Sequence, residues 1–475
     1  MKRITFNRTK IVATVGPASN TKEMLTQLAQ AGVDVFRLNF SHGTHEDHAR
    51  VVHYVREINE ELGTNICLLQ DLQGPKIRTR EVEKGTKVVD GQELIIITED
   101  ILGDNHRIGT SYQQLPDDVK PGDMILIDDG KIELKVKEVR GKEVVTEVIH
   151  GGKLKSRKGI NLPNSDVSAP SLTEKDKEDL AFGLEHEIEW IALSFVRKPE
   201  DIVDLRERIK KAGKESRIIA KIEKPEAINN IDEIIEVTDA IMVARGDLGV
   251  EVVMEEVPLM QKMMVEKCNK AAKPVIIATQ MMESMIENPR PTRAETNDVA
   301  NAVMDGADAL MLSAETAAGA FPVKVIESMV RTIAFMEKQD HVYFNHYLPE
   351  EGNDLYYNNA LVLTACRLAK AASASAIVGM TQSGYTAYKV SSHRPKAGIF
   401  IFTGNKPFMN TMNLIWGVRA YYYDKSTTTD ETIADIERIL KENHHVEEGD
   451  VFINIASMPI HEKGRANMLK INVVK

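Results

Sequence analysis

Short runs of apolar residues alternate with amphipathic stretches along much of this chain. The runs fall at 10–16 (KIVATVG), 35–40 (VFRLNF), 66–72 (ICLLQDL), 190–195 (WIALSF), 217–222 (RIIAKI), 240–246 (AIMVARG), 274–279 (PVIIAT) and 309–313 (ALMLS). Each is rich in Ile, Val or Leu without strict polar alternation, which is how strands buried on both faces read. The stretches between them read as helices. Thr292 with Glu295 makes a capping box after Pro291, and Val299, Ala302 and Val303 then keep helical spacing. Ser171 with Glu174 predicts a second capping box. Buried strands alternating with helices in this way predict an α/β fold, a (β/α)8 TIM barrel.

One interval breaks the rhythm. From 77 to 168 the chain has no long helical pattern but strand-like pieces such as KVVDGQELIIITED and DMILIDDGKIELKVKEVRGKEVVTEVI. Asp-Gly and Gly-Lys pairs between the pieces are hairpin signals. An all-β lid domain is therefore expected at 77–168, inserted between barrel parts at 1–76 and 169–340. The end of a barrel from which the βα loops leave tolerates such an insertion. Beyond 340 the pattern restarts. Leu361, Ala365, Leu368, Ala369 and Ala372 mark one helix face, followed by strand candidates at 376–381, 398–403, 420–424, 451–456 and 469–474. A C-terminal open α/β domain is expected at 341–475.

Length and charge narrow the function. A chain of 475 residues fits about three domains. Acidic residues outnumber basic ones, 71 to 60, for a net charge of −11. That balance argues against a general nucleic-acid binder or an anionic-membrane binder. Cys67, Cys268 and Cys366 are too widely spaced for a disulfide framework or a paired-cysteine metal site, and fit a reducing compartment. No apolar run approaches the ~20 residues of a spanning helix. The opening MKRITFNRTKIVATVG has no apolar signal-peptide core, so a cytoplasmic location is expected.

Active sites of such barrels sit where the strands end. The second strand ends in Arg37, Asn39, Ser41 and His42, and the third in Asp71, then Lys76 and Arg78. The fifth ends in Lys221 and Glu223, the sixth in Arg245, Gly246 and Asp247, the seventh in Thr279 and Gln280, the eighth in Ser313 and Glu315. Among these residues, three cations (Arg37, Arg78, Lys221) are expected to face three carboxylates (Asp71, Glu223, Asp247). That mixture points to a hard divalent metal and an anionic substrate. Glu223 and Asp247 are oxygen donors of the kind Mg2+ prefers. His42 is the set's one histidine and cysteine is absent, which argues against zinc. Arg37 and Arg78 offer forks suited to phosphate. The Gly-x-x-x-x-Gly-Lys-Ser/Thr loop is missing, so side chains and metal must hold any nucleotide phosphate. Taken singly, Lys221-Ile-Glu223 also fits a solvated pair and Arg245–Gly249 a simple turn. The Met-rich stretch 281–285 reads as packing.

Seven motifs in one order resemble the pyruvate kinase family. They are RLNFSHG (37–43), QGPKIR (73–78), KGINLP (158–163), KIE (221–223), MVARGDLG (242–249), ATQM (278–281) and MLSAET (311–316). The resemblance runs from residue 9 to the C-terminus and fits the same three-part organisation. It implies transfer of the phosphoryl group of phosphoenolpyruvate to ADP, giving pyruvate and ATP. It further implies that Lys221 stabilises developing charge and that Glu223 and Asp247 hold Mg2+ or Mn2+. Gly246, Asp247 and Thr279 would hold the substrate carboxylate region, and Arg37 its phosphate. Asn39, Phe40, Ser41, His42, Arg78 and Lys158 would line the ADP/ATP site, with a second, nucleotide-bound Mg2+. Thr279, Ser313 and Glu315 would belong to a relay that protonates the enolate. Lid closure would exclude water.

Many family members bind K+ around the positions of Asn39, Ser41, Asp71 and Leu72. Those members carry Glu at the position of Lys76 and Thr-Lys in place of Leu72-Gln73. This chain resembles the K+-independent branch, with the Lys76 ammonium standing in for the ion, so little or no K+ requirement is expected. Thr381, Ser383, Gly384 and Thr386 resemble the family's effector-phosphate loop, where hydroxyls and amides open a helix. A homotetramer with no nucleic-acid or membrane partner is implied. Two other readings stay open. One is a Mg2+-dependent barrel lyase or mutase acting on phosphoenolpyruvate or oxaloacetate. The other is a catalytically silent metabolite-binding protein.

Overall fold

The computed structural model describes residues 6–163, 165, 167–345, 347–425, 427–458 and 465–475. Residues 1–5, which include Lys2 and Arg3, lie outside them. Each of the eight apolar runs forms a strand: Lys10–Val15, Val35–Asn39, Cys67–Asp71, Trp190–Leu193, Arg217–Ile222, Ala240–Ala244, Val275–Ala278 and Ala309–Leu312. Numbered first to eighth along the chain, they pair in parallel with their sequence neighbours. The eighth returns to the first, with Lys10 opposite Ala309, and the barrel closes. Val12, Leu69, Trp190, Ile219, Met242 and Ile276 pack its interior. The strands read as continuous apolar runs because both faces are buried, and charged groups gather toward their ends.

Helix starts follow side-chain capping. Thr292 and Glu295 make the expected reciprocal box at the head of Arg293–Asp305. The second box differs from expectation: Thr173 with Asp176, not Ser171 with Glu174, caps the helix Glu174–Glu185. Asp176 wins because its buried carboxylate also accepts from the Gly74 amide at 3.1 Å and so ties down the loop after the third strand. The Ser171 hydroxyl turns instead to the Phe195 carbonyl.

Between the third and fourth strands the chain builds a six-stranded sheet, in the order Ile160–Asn161, Met124–Ile127, Ile132–Arg140, Glu143–His150, Glu93–Ile97, Arg107–Gly109. Among the described residues its one helix is Leu115–Asp118. Asp129-Gly130 and Gly141-Lys142 turn the hairpins as expected, each glycine at positive φ. Leu94, Ile96, Ile125, Leu134 and Val144 give this lid its own core.

Past the barrel, the strands run Val418–Tyr422, Gly398–Thr403, Ala376–Met380, Val451–Ala456 and Met468–Val473 across one sheet, the last pair antiparallel. This domain caps the end of the barrel where the strands begin. Leu414 joins the barrel's interior cluster, and the Trp190 indole donates to the Thr411 carbonyl at 3.1 Å. Buried Arg394 bonds Asp308 and Asn269 and lies over the Trp416 ring. The opposite end of the barrel stays open for chemistry.

Candidate active site

Five consecutive strand ends are knitted together by charge and hydroxyl groups. Asp71, the last residue of the third strand, accepts from Arg37 Nε at 2.7 Å and Nη2 at 2.6 Å. Arg37 Nη1 donates to Thr14 Oγ1 of the first strand at 2.9 Å. Lys221 Nζ lies 3.2 Å from Asp71 Oδ1, 2.8 Å from Glu223 Oε1 and 2.7 Å from Ser194 Oγ. The Ser194 hydroxyl in turn donates a hydrogen bond to the Leu72 carbonyl at 2.7 Å. Glu223 Oε2 accepts from the Phe195 amide at 2.7 Å. Lys221 and Glu223 share a side because residues two apart at a strand end face the same way.

Burial and neighbours set the charges. Burial works against the Lys221 ammonium, but Asp71 and Glu223 more than offset it and hold its pKa above the ordinary lysine value. Burial also opposes the Asp71 carboxylate, and Lys221 and Arg37 override it, so its pKa falls. At Glu223 the balance goes the other way. Burial, reinforced by Asp247, pushes the carboxyl up despite Lys221.

The sixth and seventh strand ends form a second linkage. The Gly246 amide donates to Thr279 Oγ1 at 2.8 Å, and that hydroxyl donates to the Ala278 carbonyl at 2.6 Å. Thr279 (φ +69°) and Gln280 (φ +54°) both lie in the left-handed region, a strained choice for a β-branched residue. Arg245 braces this turn. It donates to the Thr279 carbonyl at 2.8 Å and grips Asp298 with two nitrogens. At the eighth strand, buried Glu315 accepts from the Ser313 and Met282 amides, and burial raises its pKa.

The expected nucleotide residues divide into two groups. Around the second strand, Asn39 Oδ1 accepts from the Ser41 amide at 3.1 Å, and Phe40 stacks on His48 with ring centroids 4.1 Å apart. His48 Nε2 lies 3.0 Å from the His42 carbonyl. Arg78 and Lys158 stand on the two chain crossings into the lid, where Arg78 bridges Gly159 in antiparallel fashion. Arg78 Nε is buried without a partner among the described residues. Lys158 Nζ pairs with Asp128 of the lid at 2.9 Å, a contact the spacing of residues did not suggest. Lys76 lines a cleft with Asp247, and Leu72 is buried, leaving its carbonyl to Ser194. Thr14, Ser194 and Phe195 were missed from sequence. Ser194 stands near the end of an apolar run, and that position was its available signal.

Two carboxylates, Glu223 and Asp247, face this cluster as hard oxygen donors. No group of three or more His, Cys, Asp or Glu side chains able to hold a metal occurs among the described residues. Two protein oxygens fit Mg2+, which keeps waters and substrate oxygens in its shell.

Comparison with known proteins agrees with this geometry. Residues 6–326 match the family model described as pyruvate kinase, barrel domain, and 359–472 match pyruvate kinase, alpha/beta domain. A pyruvate kinase of Clostridium acetobutylicum is 41% identical over 480 residues, covering 99% of this chain and all of that relative. One from Geobacillus stearothermophilus is 42% identical over 98% of this chain and 80% of its own length. The crystal structure of a pyruvate kinase from Cryptosporidium parvum superposes with a TM-score of 0.93 at 35% identity, covering 99% of this chain and 96% of that one. By its strand ends, its inserted lid and these matches along nearly its whole length, the chain belongs to the pyruvate kinase family.

Proposed function

We propose that this chain transfers the phosphoryl group of phosphoenolpyruvate to ADP, giving pyruvate and ATP, with Lys221 as its electrostatic centre. The observation that carries this reading is the Lys221 ammonium held between Asp71 and Glu223 in a buried mouth. Its charge is fixed in advance and needs no reorganisation as negative charge develops on the phosphoryl group and the departing enolate oxygen. Arg37 spends three of its five N–H donors on Asp71 and Thr14, and the others would grip phosphate. The Gly246 amide, Asp247 and Thr279 would hold the carboxylate end, the substrate taking over the amide's bond to Thr279.

Glu223 and Asp247 would hold Mg2+ or Mn2+, which supplies charge neutralisation at phosphate and enolate oxygens when bound. Asn39, Phe40, Ser41, His42, Arg78 and Lys158 would line the nucleotide site, Lys158 exchanging Asp128 for a phosphate oxygen. Thr279, Ser313 and Glu315 would relay a proton to the enolate. The lid would exclude water.

Lys76, Leu72 and Gln73 support turnover without K+ at the Asn39, Ser41 and Asp71 positions. Thr381, Ser383, Gly384 and Thr386 support a phosphorylated effector. The Gly384 amide donates to Thr381 Oγ1, and Ser383 borders a cleft of about 830 Å3 with Lys214, Arg217 and Asn405. Three buried cysteines without disulfides support a cytoplasmic location. Domain limits near 76, 168 and 340 and a homotetramer complete the reading.

The experiment is pyruvate formation coupled to lactate dehydrogenase, run with phosphoenolpyruvate and ADP or GDP. Pyruvate should appear only with a nucleoside diphosphate. Equal release without nucleotide would favour a lyase or phosphatase instead.

A further inference from the structure

A buried cluster outside the reacting groups joins the lid to the metal-binding pair. Asn161 lies on the strand that leads back from the lid, and its Nδ2 donates to Glu251 Oε1 at 2.7 Å. Lys224 Nζ reaches that same oxygen, also at 2.7 Å. Glu251 closes the short helix Arg245–Glu251, which carries Gly246 and Asp247. Asp247 lies four residues earlier, on the same helix face. Lys224 directly follows Glu223 in the chain. Three separate segments therefore meet at one carboxylate oxygen.

The carboxylate is unevenly satisfied. The Glu251 side chain is 1% exposed, and its Oε2 is buried with no partner among the described residues. Loss of Lys224 would leave this buried charge uncompensated, and loss of Asn161 would remove the hydrogen bond that ties the lid strand to it. A shift of Asn161 therefore pulls on Glu251, and through it on Lys224 and the helix. Asn161, Lys224, Asp247 and Glu251 all border one cleft of about 40 Å3.

We propose that Asn161, Glu251 and Lys224 form a latch that couples the position of the lid to the spacing of Glu223 and Asp247. Glu251 is its positioning residue and touches no substrate. The latch rests on the reading of Glu223 and Asp247 as the metal-binding pair, and it adds the route by which the lid adjusts them.

The test uses the full chain and two readouts besides turnover. In Asn161→Ala, hydrogen exchange should quicken at 158–163, at 224–230 and at 245–252 together, while 174–185 stays unchanged. Mn2+ affinity, read by electron paramagnetic resonance, should fall roughly tenfold, as loss of an outer partner does. Asn161→Gln, which keeps the amide donor, should recover most of both. Faster exchange confined to 158–163, with Mn2+ affinity unchanged, overturns the latch even if turnover is normal. Absence of ADP-dependent pyruvate formation in the parent chain overturns the functional reading instead, and the exchange pattern decides the latch independently of it.

Discussion

Lys221 Nζ stands 2.8 Å from Glu223 Oε1, so the cation that would meet the phosphoryl group and the carboxylate that would hold the metal share one buried pair. Each conditions the other. Glu223 helps hold Lys221 charged, while burial and Asp247 keep the Glu223 carboxyl above its ordinary range. If Glu223 and Asp247 hold a divalent ion, its charge would relieve the repulsion between them, and Lys221 would keep Asp71 as its other carboxylate partner.

Removing either oxygen donor should therefore show first in metal binding. Glu223→Gln and Asp247→Asn should each weaken Mn2+ by at least the roughly 10–100-fold that loss of a mere outer-shell partner costs. Titration followed by electron paramagnetic resonance checks this. Unaltered affinity in either variant would remove that residue from the metal site.

Thr279 holds a strained left-handed conformation, and its hydroxyl occupies the Gly246 amide. Thr279→Ala should lower turnover by roughly 10²-fold, the scale of a lost proton-transfer group. Folding stability should change by only about 1 kcal/mol, the net worth of a hydrogen bond. Thr279→Ser should retain most of the activity. Denaturant midpoints and kcat, measured side by side, separate the two effects.

Much of this was legible in the sequence, for physical reasons. Strands buried on both faces leave continuous apolar runs, so all eight were visible, and the residue after each run had to be where polar groups begin. The left-handed turn at Thr279 was not legible, since a β-branched residue disfavours it and tertiary contacts through Arg245 override the preference. Thr14 was overlooked because it sits inside its apolar run, and Ser194 because its run continues to the apolar Phe195. The helix start at Thr173 was misread because S-x-x-E and T-x-x-D overlap there, and burial of Asp176 decides between them. The Lys158–Asp128 pair joins residues thirty apart in the lid, which only folding brings together.

Acid should unsettle the second-strand loop. Burial lowers the His48 pKa below its ordinary value of 6.5. The unfolded chain then takes up this proton before the folded one does, so the contribution is present at neutral pH and is lost as pH falls below about 6.5. His48→Phe, which preserves stacking on Phe40, should shrink the difference in urea midpoint between about pH 7.5 and about pH 5.5. An unchanged difference would assign the acid sensitivity elsewhere.

Monovalent cation dependence tests the role given to Lys76. If the Lys76 ammonium stands in for the ion, initial rates in tetramethylammonium buffer should change little when KCl is added. Strong activation by K+ would defeat that idea. Lys76→Glu should create a K+ requirement.

The most direct test of the account is kcat for ADP-dependent pyruvate formation by Lys221→Met at saturating Mg2+. A fall of roughly 10²–10³-fold or more is expected if this ammonium stabilises the developing charge, with the KM for phosphoenolpyruvate little moved if Arg37, Gly246 and Thr279 hold the substrate as proposed. Turnover close to that of the parent chain would contradict it.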